Sequence, residues 1–179
     1  QTKKAVKEIR KAVIPPPRIV IDECAFLKLY YYTKSAWGEV GGLLQTNYKK
    51  REYFIENVWL IEQDAGMAHQ TLKPSALGKF IIHMAREDPN VLKKIHGWWH
   101  THGKGDVFWS SQDRETMRGL KAYFRDYLVT VVMNKRNEML FRIERGDTVF
   151  DNVEYTIRGR KREELCKKEV KEKVKGSVF

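Results

Sequence analysis

The stretch over residues 94–113 reads KIHGWWHTHGKGDVFWSSQD. Its first half has the character of a strand, a glycine-rich loop follows, and Ser110 opens a helix. Because side chains alternate between the two faces of a strand, His100 and His102 project to the same side. The stretch therefore predicts a strand that presents two imidazole rings beside the beginning of a helix.

The segments on both sides of this stretch alternate between strand and helix patterns. The residue patterns predict strands over 18–22, 39–46, 52–61, 94–102, 127–133, 139–144 and 153–157, and helices over 3–14, 23–35, 75–87, 110–125 and 160–175. Interleaved strands and helices, with hairpins among the strands, indicate a single α/β domain of α+β character with a mixed sheet. We divide the chain into a basic N-terminal helix with its proline linker (1–17), the domain (18–157) and a charged C-terminal helix (158–179).

The composition is that of an ordinary globular domain. With 179 residues, 42% of them hydrophobic, the chain can bury one core, so disorder over the whole chain is excluded. Its apolar runs are too short to span a membrane, and the N-terminus lacks the apolar core of a secretory signal. Cys24 and Cys166 lie far apart, which excludes a disulfide framework and favours a reducing compartment. We therefore expect a cytoplasmic protein without a membrane partner.

The net charge of +11 is concentrated at the two ends of the chain. Residues 1–18 and 158–175 each contribute +5, whereas the residues between them contribute +1. A nucleic-acid-binding domain more often carries its basic residues on one face of the fold. We therefore do not expect a nucleic-acid partner, and interpret the ends as solvated helices that can dock a protein.

Two histidines on one face of a strand form half of a zinc site. The loop of seven residues between His102 and Ser110 can fold back, so that Asp113 at the helix start supplies a third ligand beside His100. A catalytic zinc ion takes three protein ligands and keeps one position open. The HxH pair and the Ser110-x-x-Asp113 pair are each common by themselves, the latter as a helix cap. Joined as H-x-H-x7-S-x2-D, they predict one zinc ion per chain.

This pattern resembles the motif of the JAMM metalloproteases, also called the MPN+ or JAB family. The family motif is an upstream glutamate followed by H-S/T-H-x7-S-x2-D, and Glu39 in the run GEVGGLL (38–44) corresponds to that glutamate. Gly97-Trp98, just ahead of the histidines, is also frequent in the family. The resemblance covers about residues 18–150. It implies the JAMM/MPN fold, a curved mixed sheet flanked by helices, here in a compact member of prokaryotic type.

The resemblance also implies an activity. A member of this family would be a zinc-dependent isopeptidase, cutting after the C-terminal glycine of ubiquitin or a ubiquitin-like modifier. The roles that it implies are zinc ligands for His100, His102 and Asp113, general base and then acid for Glu39, and an oxyanion donor for Ser110. No substrate-binding residue is assigned.

We make two further predictions, one about the binding of the substrate tail and one about the loop that follows the histidines. An extended Gly-Gly tail suits a narrow cleft, where Gly41-Gly42 or a nearby strand edge can pair with it by β-addition. Gly103 replaces the proline that is common in the family, so we expect a more flexible loop, with residues 104–106 as a mobile rim or a simple turn. No histidine follows His102, so a second, structural zinc is not expected.

Two other functions stay open at this point. Some compact members of the family act on small sulfur-carrier proteins or on peptides. A catalytically silent scaffold that binds partners through its basic ends is the other alternative. Silent relatives have usually lost ligands, whereas all three ligands and the glutamate are present here, which favours an enzyme.

The remaining histidines and tryptophans have weaker signals. His96 and Trp98 share the parity of the two ligands, and Trp98 can wall the site or pack around them. We expect Trp99 in the core. His69 and His83 are interpreted as structural or solvated residues.

Overall fold

A computed structural model describes residues 15–61, 74–124, 126–159, 166–168 and 170–172. The strands are β1 (Arg18–Asp22), β2 (Gly41–Lys49), β3 (Glu52–Leu60), β4 (Ile95–Thr101), β5 (Leu128–Met133), β6 (Met139–Arg145), β7 (Thr148–Asp151) and β8 (Tyr155–Arg158). The helices are α1 (Glu23–Ser35), α2 (Pro74–Glu87), α3 (Pro89–Leu92) and α4 (Ser111–Tyr123). Residues 166–168 and 170–172 are also helical.

The strands form one mixed sheet in the order β7-β6-β5-β4-β2-β3-β1-β8. β1 runs parallel to β3 and β8, and β4 runs parallel to β5, whereas the other neighbours are antiparallel. Tyr155 of the edge strand β8 lies 4.9 Å from the Phe141 ring of β6, near the opposite edge. The sheet therefore curls until its two ends approach each other. The predicted mixed α/β class is confirmed.

One face of the sheet packs against α1. This helix begins at Asp22, whose side chain accepts a hydrogen bond from the Cys24 amide at 2.8 Å. Its buried residues Ala25, Leu29 and Tyr32 recur at helical spacing and join the larger core cluster. Burying such an apolar stripe against the sheet is the main force that stabilises the layer.

The other face of the sheet packs against α4 and α2. Trp98 of β4 lies in one cluster with Met117 and Leu120 of α4, whereas the next residue, Trp99, lies in the α1 cluster. The alternation along β4 thus sends even-numbered residues towards α4. His100 belongs to that set, which places it between the sheet and the beginning of α4.

Most predicted elements agree with the structure to within a few residues. β1 and α1 have the predicted bounds. The short helix α3 and strand β7 were missed, because Pro89 was interpreted only as the end of α2 and the second hairpin turn, at Gly146, was not recognised. The predicted helix 3–14 and most of 160–175 lie outside the described residues.

The expectation about the cysteines was wrong. Cys24 and Cys166, 142 residues apart, form a disulfide. Val170, in the same C-terminal segment, is buried in the core cluster with α1. Separation along the chain does not limit approach in space, and the chain returns here to the beginning of α1. A disulfide is not typical of a reducing compartment, so the cysteines do not support that expectation. Among the described residues, no helix has the length and apolar character needed to cross a membrane.

Candidate metal centre

Three predicted ligands meet between the end of β4 and the beginning of α4. His100 Nε2 lies 3.2 Å from His102 Nε2 and 3.1 Å from Asp113 Oδ1. His102 Nε2 lies 3.6 Å from Asp113 Oδ2. Two ligands of a tetrahedral ion, each about 2.0–2.1 Å from it, are about 3.3 Å apart. The donor atoms therefore have the separations that one small metal ion requires.

A glycine allows the neighbouring strand to lie directly against His100. Gly41 of β2 is paired with His100 in the β2–β4 ladder. A Cβ atom at Gly41 would come within 2.6 Å of the Trp99 carbonyl oxygen and 3.1 Å of His100 Cβ. Any side chain at this position would push β2 away from the candidate site. The absence of a side chain at Gly41 thus permits the close approach of the two strands.

Ser110 and Asp113 form a helix cap, and Asp113 also faces the histidines. Asp113 N donates to Ser110 Oγ at 3.1 Å, and Ser110 N donates to Asp113 Oδ2 at 2.7 Å. This reciprocal pair is a capping box. It fixes the carboxylate of Asp113 so that Oδ1 faces His100. The Asp113 side chain therefore belongs both to the helix cap and to the candidate metal site.

Burial and charge set the protonation of the three ligands. Burial lowers the pKa of His100, although Asp113 acts in the opposite direction. Burial acts to raise the pKa of Asp113, but hydrogen bonds from His100 and His102 outweigh it and hold that pKa well below its ordinary value. At neutral pH His100 is therefore neutral and Asp113 is ionised, as metal ligands must be. The hydrogen bond with Asp113 raises the pKa of His102.

Aromatic rings surround the two histidines. Trp98 stacks on His100 with the ring centroids 4.3 Å apart and the planes within 11°, so it packs around the ligand as its parity predicts. The exposed Phe108 packs edge-on against His102 at 4.9 Å. His100 Nδ1 is buried without a hydrogen-bond partner among the described residues. On the Nδ1 side, stacking on Trp98 therefore orients the His100 ring, whose Nε2 faces Asp113.

Hydrogen bonds connect the loop 103–106 to its neighbours in the fold. His102 Nδ1 lies 2.8 Å from the Asp106 carbonyl oxygen, a contact that orients the ring. Gly103 has a φ of +52°. Proline cannot adopt this angle, because its ring holds φ near −65°. The left-handed turn that the loop makes here thus accommodates glycine and excludes proline.

The turn between β5 and β6 holds this loop in place. Asn134 Nδ2 donates to the Gly105 carbonyl at 2.9 Å, and Lys135 N donates to the Gly103 carbonyl at 2.7 Å. The Asn134 side chain also accepts from the amides of Arg136 and Glu138, both at 3.0 Å. Sequence reasoning missed this role of the fully buried Asn134, because its segment was interpreted only as a hairpin turn. The polar residues of this turn do not indicate which other segment of the chain the turn contacts.

Glu39 lies at the same end of the sheet as the ligands. Its neighbour Val40 donates from its amide to Thr101 Oγ1 at 3.0 Å and accepts at its carbonyl from the Thr101 amide at 2.8 Å. Thr101 lies between the two histidines in the chain. Glu39 is half-buried, and its negative charge contributes to the raised pKa of His102.

The other predicted residues lie away from this group. His96 stacks on Tyr127 at 4.7 Å, near the beginning of β4, and His83 is exposed on α2. Trp99 is buried in the core, as predicted, and its Nε1 donates to the Trp59 carbonyl at 3.1 Å. His69 lies outside the described residues.

Strand addition at Gly41-Gly42 is not compatible with the sheet. β2 is hydrogen-bonded to β3 on one side and to β4 on the other. Its backbone groups are therefore already paired, and the edges of the sheet are β7 and β8. Gly41-Gly42 is therefore excluded as the place of an added strand.

Within the described part of the chain, the donor atoms of His100, His102 and Asp113 all lie within 4.8 Å of one another and can hold a metal ion. No protein-family model matches the chain, and no curated protein matches it significantly.

Proposed function

We propose that this chain is a JAMM-type zinc metalloprotease. In this proposal it hydrolyses the amide bond after the C-terminal glycine of ubiquitin or a ubiquitin-like modifier. The observation that carries the proposal is the buried group of two imidazoles and one carboxylate, with Glu39 at the same end of the sheet. Two nitrogen donors and one oxygen donor favour zinc over magnesium or calcium, which prefer oxygen ligands alone.

The proposed ligands are His100, His102 and Asp113. Zinc, when bound, would act as a Lewis acid that activates water and polarises the scissile carbonyl. A neutral imidazole at His100 and an ionised carboxylate at Asp113 support this assignment, because these are the net charges that the two groups have as metal ligands. The stacked Trp98 and the Asp106 carbonyl orient the two rings before the metal arrives.

Glu39 carries the protons in this mechanism. Its carboxylate takes the proton from the attacking water and passes it to the nitrogen of the leaving amine. The position of Glu39 at the ligand end of the sheet supports this role, since its neighbour Val40 is hydrogen-bonded to Thr101 and Glu39 itself is half-buried.

Ser110 can cap its helix and, at the same time, donate a hydrogen bond to the developing oxyanion. A hydroxyl group accepts through its lone pairs and donates through its single proton. In the cap, Ser110 Oγ accepts from the Asp113 amide. The hydroxyl proton is not used in that bond, so the cap leaves it available to the substrate oxygen.

The first test is the metal content of the purified full chain, measured by mass spectrometry. We expect about one zinc per chain in the wild type and almost none in the His100→Ala/His102→Ala variant. The zinc-loaded protein would then be assayed on fluorogenic conjugates of ubiquitin and of small ubiquitin-like proteins, with and without a chelator.

Each outcome of this test has a definite meaning. Cleavage that a chelator abolishes and added zinc restores would support the proposal. Zinc binding with cleavage of short peptides alone would contradict the modifier as substrate while keeping the hydrolase. Absence of zinc after reconstitution would refute the enzyme and favour a scaffold.

A further inference from the structure

A cavity of about 220 Å³ lies at the opposite end of β2 from the candidate metal centre. Its polar walls are formed by Tyr48, Arg51, Tyr53, Arg145 and Thr148, and its other lining residues are apolar. Tyr48 lies seven positions along β2 from the glycine that faces His100, which is about 23 Å along the strand. The cavity is therefore distinct from the proposed active site.

Two arginines line this cavity, and their partners differ from those of Arg136 and Arg142. Arg136 and Arg142 each form ion pairs with two carboxylates. Arg51 and Arg145 form no ion pair within the described ranges. Arg51 donates to a backbone carbonyl, and the Arg145 guanidinium lies 4.2 Å from the centroid of the Tyr48 ring. Two positive charges thus stand at one cavity without an anion to balance them.

A second cavity of the molecule provides an internal comparison. It measures about 330 Å³, and its charged walls are Asp22, Glu56, Lys49 and Arg158. Acids and bases balance there, so that cavity has no preference for an anion. The smaller cavity has no carboxylate in its walls, which makes it the one suited to a negatively charged ligand.

The hydroxyl groups of the smaller cavity complete a set of donors. Tyr53 is buried, and its hydroxyl interacts with Arg145. Burial raises the pKa of Tyr53, so the phenol keeps its proton at neutral pH and can donate it. Thr148 adds a second hydroxyl. Guanidinium groups bind phosphate through paired N–H donors, and hydroxyl donors satisfy the remaining oxygens.

We propose that this cavity binds the phosphate group of a small molecule, with Arg51 and Arg145 as its charged ligands. Pockets for drug-sized ligands measure about 300–1,000 Å³. A cavity of about 220 Å³ is smaller, so the ligand is a phosphate ion or a small phosphomonoester. The site is independent of the proposed hydrolase and of its metal.

The test is calorimetric titration of the full-length protein with inorganic phosphate and with methyl phosphate, at constant ionic strength. We expect saturable binding that is equal in zinc-loaded and chelator-treated protein, which separates the cavity from the metal centre. Arg51→Gln and Arg145→Gln should each weaken binding about tenfold or more, because each removes a charge-assisted pair of donors. Tighter binding of methyl phosphate than of inorganic phosphate would identify a phosphate ester, and not the free ion, as the ligand.

The matched control is Arg86→Gln, which removes an exposed arginine from α2. This variant should bind phosphate as the wild type does. Arg51 is exposed in a turn, so Arg51→Gln tests the site even where Arg145→Gln disturbs the packing on Tyr48. Absence of saturable binding in the wild type, or equal binding in Arg51→Gln and the control, would overturn the proposal.

Discussion

At the scale of single residues, the two carboxylates of the candidate site are held in different ways. Asp113 is buried, and its oxygens face His100, His102 and the Ser110 amide. Glu39 is half-buried and interacts with His102 through its charge. The tightly held carboxylate suits a metal ligand, and the more accessible one suits proton transfer.

Glu39→Gln should abolish cleavage while zinc content stays at the wild-type value. The amide keeps the shape of the side chain but cannot accept the proton of the attacking water. Zinc content and the rate of cleavage, measured on the same preparation, check this. Asp113→Ala is the contrasting variant, because it removes a ligand and should lose zinc. Wild-type cleavage by Glu39→Gln would remove that residue from the mechanism.

Ser110→Ala and Ser110→Gly together separate the helix cap from catalysis. Glycine is nearly as good as serine at an N-cap, whereas alanine costs about 1 kcal/mol. We therefore expect only the alanine variant to lower the free energy of unfolding by that amount. Both should reduce kcat about 10²- to 10³-fold, because both lack the proposed oxyanion donor. Denaturant unfolding and steady-state kinetics measure the two effects, and full activity of the glycine variant would limit Ser110 to capping.

At the scale of elements, the β5–β6 turn organises the loop that follows the histidines. Asn134 bonds the Gly105 carbonyl, and the Asp106 carbonyl in turn contacts His102 Nδ1. A ligand ring held through its second nitrogen keeps its orientation and tautomer. The turn therefore acts on the metal centre without touching it.

Asn134→Ala should weaken zinc binding about 10- to 100-fold, the usual cost of removing an outer partner of a metal ligand. The variant leaves the Gly105 carbonyl and two turn amides without their side-chain partner. Competition with a chromophoric chelator measures the affinity. Asn137→Gly is the control in the same turn, since Asn137 has a φ of +68° that glycine adopts freely. Equal affinities in the two variants would contradict the positioning role.

Gly103→Pro should lower both the melting temperature and the affinity for zinc. The left-handed φ of Gly103 excludes a proline ring. Gly103→Ala should have a smaller effect in the same direction, because alanine reaches positive φ at a moderate cost. Calorimetry and zinc titration measure both effects. A proline variant as stable as the wild type would show that the loop has another conformation.

At the scale of the whole molecule, a disulfide joins the C-terminal segment to the beginning of α1. Cys24 lies at the first turn of α1, and Cys166 is buried. Val170 packs into the same core cluster as α1. The C-terminal segment is thus part of the folded domain, whereas the candidate metal centre depends on β4 and α4.

The Cys24→Ala/Cys166→Ala variant should lower the free energy of unfolding by about 2–4 kcal/mol, since the cross-link restricts the unfolded chain. Its zinc content should stay unchanged, because neither cysteine contacts a ligand. Guanidinium unfolding with and without a reductant checks the effect. The reductant should shift the wild-type midpoint to that of the variant and leave the variant unaffected. A reductant-insensitive wild type would argue against the disulfide.

The sequence by itself determined the local features of this protein. Alternation of side chains placed His100 and His102 on one face of a strand, and helical spacing predicted both ends of α1 to the residue. A serine followed three positions later by an aspartate marked the start of α4. These features depend on backbone periods and on hydrogen bonds between near neighbours, so the order of residues is sufficient to predict them.

Only the tertiary structure decided the contacts between distant segments. It joined Cys24 to Cys166, put β2 inside the sheet with both edges paired, and bound Asn134 to the loop of His102. It also brought Arg51 and Arg145 to one cavity. Such contacts are set by how the sheet curls and how the helices pack on it, and no period along the chain encodes that arrangement.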